Sequence, residues 1–260
     1  MRIPIRAVIG PSDVGFEGVW KPLLIDLTDS FSLHKTTEKM DAFRKVYEWC
    51  IESDQLLIFV VGGDGMMNEA VNGVVSSQNK NAILFNIPSG TANDFFHSFY
   101  RRINFKERLR TLLQMDWPKM QTNDDLATLC VEVPVARVEY CTNDDEWKSR
   151  YFLNISSCGF SAAVVKRLEG KAKIGKLSYL WNSFLQFSHK RQFGFELRVD
   201  DCGKSPCSTT SNSWFLIAVG LGRQFGGGME VCPQERRENN LKITVVEYAS
   251  VLGVLKLLFR

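Results

Sequence analysis

The chain has 260 residues, 45% apolar and 23% charged, with a formal net charge of +3. That length holds one large core or two small domains, and so weak a charge, without an arginine-rich tail, a zinc-finger pattern or an RNP-type aromatic run, excludes an argument for nucleic acid. Seven Cys without a CxxC pair and only three His argue against a structural zinc and suit a reducing, cytoplasmic setting. The start MRIPIRAVIGP does not read as a signal peptide, and no apolar run reaches the roughly eighteen residues a membrane span needs.

Residues 5–9 (IRAVI) read as a first strand ending at Gly10-Pro11, with a loop over 11–22 and a second strand at 23–27 (LLIDL). Thr36 or Thr37 is placed to cap a helix running through residue 52, with Met40, Phe43, Val46, Tyr47 and Cys50 on one face. LLIFVV at 56–61 is an unbroken apolar run, which a parallel strand covered on both faces needs. A helix from about 66 to 76, a strand at 82–87 (AILFNI) and a helical stretch around 105–115 complete an alternation typical of a doubly wound α/β domain.

The second half changes character. Strands are expected at 128–133, 150–157, 193–199, 213–220 and 241–247, with hairpin loops at 142–149 and 201–212 and a helix-rich insert at about 160–189. This is a mostly antiparallel β domain. The polar QTNDD stretch marks the change, giving an α/β domain over 1–125 and a β-rich domain over 126–260.

The sharpest chemical signal is Val60-Val61-Gly62-Gly63-Asp64-Gly65. Gly62, Gly63 and Gly65 after a buried strand permit a tight turn whose N–H groups can hold phosphate oxygens. It is neither a Walker A loop nor GxGxxG. Asp64 would repel a phosphate by itself, so its presence points to Mg²⁺ or to a proton to accept. The plain alternative is a turn aspartate capping the following helix. A second loop, Pro88-Ser89-Gly90-Thr91-Ala92-Asn93-Asp94-Phe95, follows the next apolar strand. Ligands of open α/β sheets bind at that carboxyl edge, and two such loops side by side make a crevice. Asn93 could instead simply cap a helix.

VVGGDGMMNEAVNGV (60–74) and IPSGTANDF (87–95) resemble the two signature motifs of the diacylglycerol kinase catalytic domain family. That family includes bacterial lipid kinases, sphingosine kinases and ceramide kinases, and is more distantly similar to NAD kinases. FLNISSCGFSAAVV (152–165) and FLIAVGLGRQFGGGMEVCP (215–233) are similar to its later segments. The resemblance implies an NAD-kinase-like, doubly wound N-terminal domain followed by a mostly antiparallel β-sandwich that takes the lipid. It implies ATP and Mg²⁺ as cofactors, with Asp64 as the catalytic residue. Nucleotide contacts would come from Gly62, Gly63, Asp64, Gly65, Glu69, Ser89, Gly90, Thr91 and Asn93, and the metal would involve Asp64 and Asp94. The partner would be a lipid (diacylglycerol, ceramide or a sphingoid base) met at a membrane surface without a transmembrane segment. The sequence sets no oligomeric state.

Departures from the family pattern have consequences of their own. Met66 stands where Thr or Leu is usual, Gly10-Pro11-Ser12 replaces an Asn-Pro pair, and Pro134, beside Glu132, stands where an Asp often opens the second domain. Ser161 replaces the acidic residue of sphingosine-type members, and Asn239-Asn240 an Asp-Gly pair. The chain ends at Arg260 within an apolar stripe, before the family's returning Asp-Gly-Glu segment, so the β-rich domain reads as incomplete and this chain as weak or inactive. A catalytically inactive nucleotide-binding pseudokinase or regulatory protein is therefore the alternative. An NAD kinase is disfavoured by the GTAND loop and the late FGGG stretch. The basic and aromatic insert around Lys166–Phe187 suits either contact with a bilayer surface or packing on the β domain.

Overall fold

In the computed structural model, residues 4–11, 31–100, 107, 111, 130–168, 193–199, 207–232 and 240–247 are described. Strand β3 (Leu56–Gly62) is buried along its whole length. It pairs in parallel with β1 (Ile5–Ile9) on one side and β4 (Ala82–Pro88) on the other, and β2 (Phe31–Lys35) adds in parallel beyond β1. The order is β2-β1-β3-β4. Its apolar run is unbroken because both faces are covered. Ile58 and Val60 pack with Val8 against Val46 and Trp49 of helix α1 (Asp41–Glu52) and Met67 and Val71 of helix α2 (Asp64–Ser77). Leu57, Phe59 and Val61 on the opposite face are equally buried, and Phe59 meets Phe85 ring to ring at 5.4 Å. Each such side chain contributes about 1.5–3 kcal/mol of burial.

The strands expected at 5–9, 56–61 and 82–87 are present, and the helix expected at 66–76 starts two residues earlier. Two other expectations are corrected. Neither Thr36 nor Thr37 caps α1. The Thr36 hydroxyl donates to the Ile9 carbonyl at 3.0 Å, and the chain turns through Met40 at φ 65 before the helix starts. The buried face of α1 is Ala42, Val46, Trp49 and Cys50, which leaves Tyr47 exposed. Strand β2 was not anticipated, and the strand expected at 23–27 lies outside the described residues. Of the helical stretch at 105–115, Glu107 and Thr111 are described, and both are helical.

Helix α3 (Asp94–Tyr100) follows β4. Residues 130–135 have no regular structure, so the described part of the strand expected at 128–133 is absent. Pro134 lacks a ladder donor and Val131 faces solvent. Strands β5 (Ala136–Cys141) and β6 (Trp147–Phe152) form an antiparallel hairpin, its turn closed by the Thr142 N–H on the Glu146 carbonyl. The compositional boundary at 125/126 lies outside the described residues. By packing, the chain forms two compact units, 1–153 and 154–260, and the hairpin belongs to the first.

The second unit is β-rich. Its long strand β9 (Cys207–Gly220) pairs antiparallel with β7 (Ile155–Gly159), β8 (Phe193–Val199) and β12 (Lys242–Glu247). The single strand expected at 150–157 is thus two, β6 and β7, broken at 153–154. Helix α4 (Phe160–Leu168) leaves β7 through Gly159 at φ 87, where a Cβ would stand 2.6 Å from the Phe215 carbonyl oxygen. Short strands β10 (Gln224–Phe225) and β11 (Met229–Glu230) pair with each other across Gly226–Gly228, all three at positive φ. Phe215, Leu216, Ala218, Val231 and Cys232 form the core.

Candidate active site

All four parallel strands of the first unit end along one edge, and the two glycine loops leave from its neighbouring strands β3 and β4. The ladder continues past the strand ends. Gly10 donates its N–H to the Val61 carbonyl at 3.0 Å, and Ser89 donates to the Gly62 carbonyl at 3.2 Å. Gly62 has no space for a side chain, because a Cβ there would lie 2.5 Å from Cγ of Met66. Gly63 faces Gly90 across the loops, whereas Gly65, exposed in the first turn of α2, would present a Cβ to open space.

Asp64 joins the two loops. Its Oδ1 accepts the Phe95 N–H at 2.7 Å and its Oδ2 the Asp94 N–H at 3.1 Å. It therefore caps α3, not the helix it begins, and satisfies two N–H groups that the first turn of a helix leaves open. Asn93 completes that turn at φ 52, a left-handed conformation that Asn tolerates. Its side chain clasps Gly90, with Oδ1 accepting the Gly90 N–H at 2.9 Å and Nδ2 donating to the Gly90 carbonyl at 2.7 Å. Asn93 thus shapes the loop from within. Ser89 and Thr91 are exposed beside it, and Asp94 is 4% exposed.

Glu69 lies further along α2. Its Oε1 accepts the Met40 N–H at 3.0 Å, which holds the left-handed entry to α1. Next to that entry, Asp41 Oδ2 accepts the Thr37 N–H at 2.9 Å and lies 3.2 Å from His34 Nε2. The Thr37 N–H above all, with His34 and Arg44 beside it, keeps the Asp41 carboxyl below its ordinary value against the opposing effect of burial. Thr36, 3% exposed, sits between β1 and Met66, whose sulfur is 3.8 Å from its hydroxyl.

Among the described residues, no group of three or more His, Cys, Asp or Glu could hold a metal ion. The donor set still fits Mg²⁺, which keeps several waters and takes one or two carboxylates plus phosphate oxygens. Each Asp64 oxygen accepts one N–H and has further lone-pair capacity. The turn from Gly62 to Gly65, with space above Gly65 and the N-terminus of α2 behind it, fits a phosphate chain.

Reasoning from sequence missed Asn68, Asn72 and Arg150, which tie α2 to strand β6. The only trace was two Asn four residues apart on a predicted helix. In the second unit, Ser161 is buried and its hydroxyl donates to Ser157 Oγ at 2.8 Å. No helix among the described residues is long and apolar enough to cross a membrane.

Residues 17–123 match the family model of the diacylglycerol kinase catalytic domain. The chain is 29% identical to the probable lipid kinase YegS-like of Cronobacter sakazakii, over 82% of this chain and 62% of that protein. It is 28% identical to its counterpart in Serratia proteamaculans, over 81% and 61%. The chain therefore spans about 62% of the length of such relatives. A diacylglycerol kinase crystal structure from Bacillus anthracis shares the fold, with a TM-score of 0.63 at 20% identity over 100% of this chain and 78% of that one. The resemblance carried by the two glycine loops thus holds over most of the chain.

Proposed function

We propose that this chain is an ATP-dependent lipid kinase of the diacylglycerol kinase catalytic domain family, transferring the γ-phosphoryl group to a lipid hydroxyl. The observation that carries the reading is the Asp64 bridge, which makes one cradle of the two loops at the carboxyl edge of the sheet. Phosphoryl transfer needs positioning and charge neutralisation more than covalent chemistry. N–H groups of Gly62–Gly65 bind the phosphates. Mg²⁺, when bound, neutralises charge on the phosphate oxygens. Asp64, fixed by two N–H donors, offers its Oδ2, the oxygen with the longer hydrogen bond, to the metal or to the proton leaving the lipid hydroxyl. Asp94 would help to hold the metal, Glu69 steadies the entry to α1, and Ser89, Gly90, Thr91 and Asn93 would supply the second wall of the cradle.

The strand order β2-β1-β3-β4 supports reading the first unit as doubly wound and NAD-kinase-like, and the β7–β9–β12 sheet supports a sandwich in the second. Diacylglycerol or ceramide suits the acceptor better than sphingosine. An uncharged, buried Ser161 offers an ammonium head group little. The protein would visit a membrane surface as a peripheral protein. The test is ATP binding by this chain, followed by product detection with dispersed diacylglycerol, ceramide and sphingosine. Absence of ATP binding would overturn the reading.

One observation favours a second reading, a nucleotide-binding protein without catalysis. Met66 fills the space beneath Gly62 where the family usually carries Thr or Leu. ATP binding with no lipid product, in this chain and in Met66→Thr alike, would select it.

A further inference from the structure

Helix α2 is fastened to strand β6 by a ladder of amides. Asn72, 6% exposed, takes both polar atoms of the Tyr151 backbone: the Tyr151 N–H donates to Oδ1 at 2.9 Å, and Nδ2 donates to the Tyr151 carbonyl at 2.9 Å. One helical turn nearer the glycine turn, Asn68 donates its Nδ2 to the same carbonyl at 3.0 Å. That bond settles which way the Asn68 amide points. Its Oδ1 must face away from the carbonyl, and there it accepts Nε–H of Arg150 at 2.8 Å.

The result is an arginine held by one edge. Nε is committed to Asn68, and the two Nη groups, the fork that binds phosphate in two-point fashion, meet no acceptor among the described residues. Arg150 is only partly exposed, yet its guanidinium meets no carboxylate among the described residues. A half-buried, oriented cation with no counter-anion among the described residues suits a site whose anion arrives as a ligand. The position is informative too. Asp64, Asn68 and Asn72 follow one another at four-residue spacing, so they share a face of α2. As β6 is traced back from Tyr151 to Arg150, the contacts move from Asn72 to Asn68, towards the Asp64 end.

We propose, on the reading of this edge as a nucleotide site, that Arg150 binds the terminal phosphate of the bound nucleotide and that Asn68 is the positioning residue that aims it. A phosphate monoester is the shared chemistry, and it has two sources: the γ-phosphate of ATP and the phosphorylated lipid that the transfer would produce. The structure favours the first, because the arginine is anchored on the phosphate-loop helix itself.

The test measures affinities of the full chain for Mg-ATP and Mg-ADP, in wild type, Arg150→Gln and Arg150→Lys. Loss of a charge-assisted contact predicts a roughly tenfold or greater weakening for ATP in Arg150→Gln, with ADP changed by less than about twofold. Arg150→Lys, a point charge without the fork, recovers part of the loss. The ATP-to-ADP ratio is the readout, because a general loss of fold lowers both affinities together. Equal weakening of both would overturn the assignment to the terminal phosphate. Unchanged ATP binding in Arg150→Gln would overturn it as well, while the nucleotide reading would stand on the wild-type result. If Arg150→Gln loses only its binding to vesicles containing phosphatidic acid rather than phosphatidylcholine alone, the lipid product is the ligand and the proposal fails. No ATP binding by the wild type would remove the premise and the proposal together.

Discussion

Gly63 and Gly90 stand backbone to backbone across the two loops: a Cβ on Gly63 would lie 3.0 Å from the Cα of Gly90, and a Cβ on Gly90 would come closer still to Gly63. The neighbour on each side is main chain and has no rotamer with which to yield. Gly90→Ala should therefore cost about 1–3 kcal/mol, as overpacking does. Gly65→Ala meets nothing within 4 Å and should change stability by no more than about 0.5 kcal/mol. If the space above Gly65 belongs to phosphates, that variant should nevertheless lose ATP affinity. Thermal melts paired with ATP titrations would separate the two, and a Gly65→Ala protein that binds ATP normally would count against the cradle.

Asp64→Asn offers an amide in place of one carboxylate oxygen to the N–H groups of Asp94 and Phe95. Weakening this cap should cost about 1 kcal/mol, and Asp64→Ala up to about 2 kcal/mol. The same change should lower lipid phosphorylation by roughly 10² or more if Asp64 also serves the metal or the proton. Denaturant unfolding of the two variants measures the first effect without any assay of activity. Unaltered midpoints would show that the bridge holds nothing together.

Asn72 is buried and answers both polar groups of the Tyr151 peptide. Asn72→Leu keeps the volume and leaves the Tyr151 N–H without its acceptor, at a cost of about 1–3 kcal/mol. The Tyr151 carbonyl keeps Asn68, so the loss should fall short of complete detachment of the hairpin. Urea melts would check the value, and hydrogen exchange at Tyr151 should accelerate more than at β3.

Acid should find Asp41. Its carboxyl is held below the ordinary value, first by the Thr37 N–H and then by His34 and Arg44. A folded-state value below the unfolded one means stability fully present above the unfolded value, about 3.9, and lost as pH falls through the folded one. Asp41→Asn should be less stable than wild type at pH 5, and the gap should close as the medium is acidified further. A gap that persists undiminished in strong acid would show that the Asp41 charge contributes nothing.

The parts legible in the sequence were those with a local cause. An unbroken apolar run announced β3, and glycines directly after it announced the turn. The edge strand β2 escaped because FSLHK mixes polar and apolar residues, as a strand paired on one side can. The start of α1 was misread because two threonines look like caps, while their partners, Ile9 and Asp41, are set by the fold and by the turn at Met40. The aspartate of the site was visible, but not its grip on α3, thirty residues on in the chain. Arg150 stayed hidden for the same reason, since only the packed hairpin brings it to Asn68.

Both glycine loops hang from one continuous stretch, β3–α2–β4, while β1 reaches β3 only across β2 and α1. Closing a short loop costs less entropy than closing a long one, and pairing between distant segments is slow. The two loops should therefore meet before the sheet is finished, with Gly63 against Gly90 as an early native contact. Pulse labelling during refolding would register this as protection in β3 and β4 ahead of β1, and simultaneous protection of all three would refute it. On that order of events, the phosphate cradle belongs to the seed of the fold and not to its finished surface.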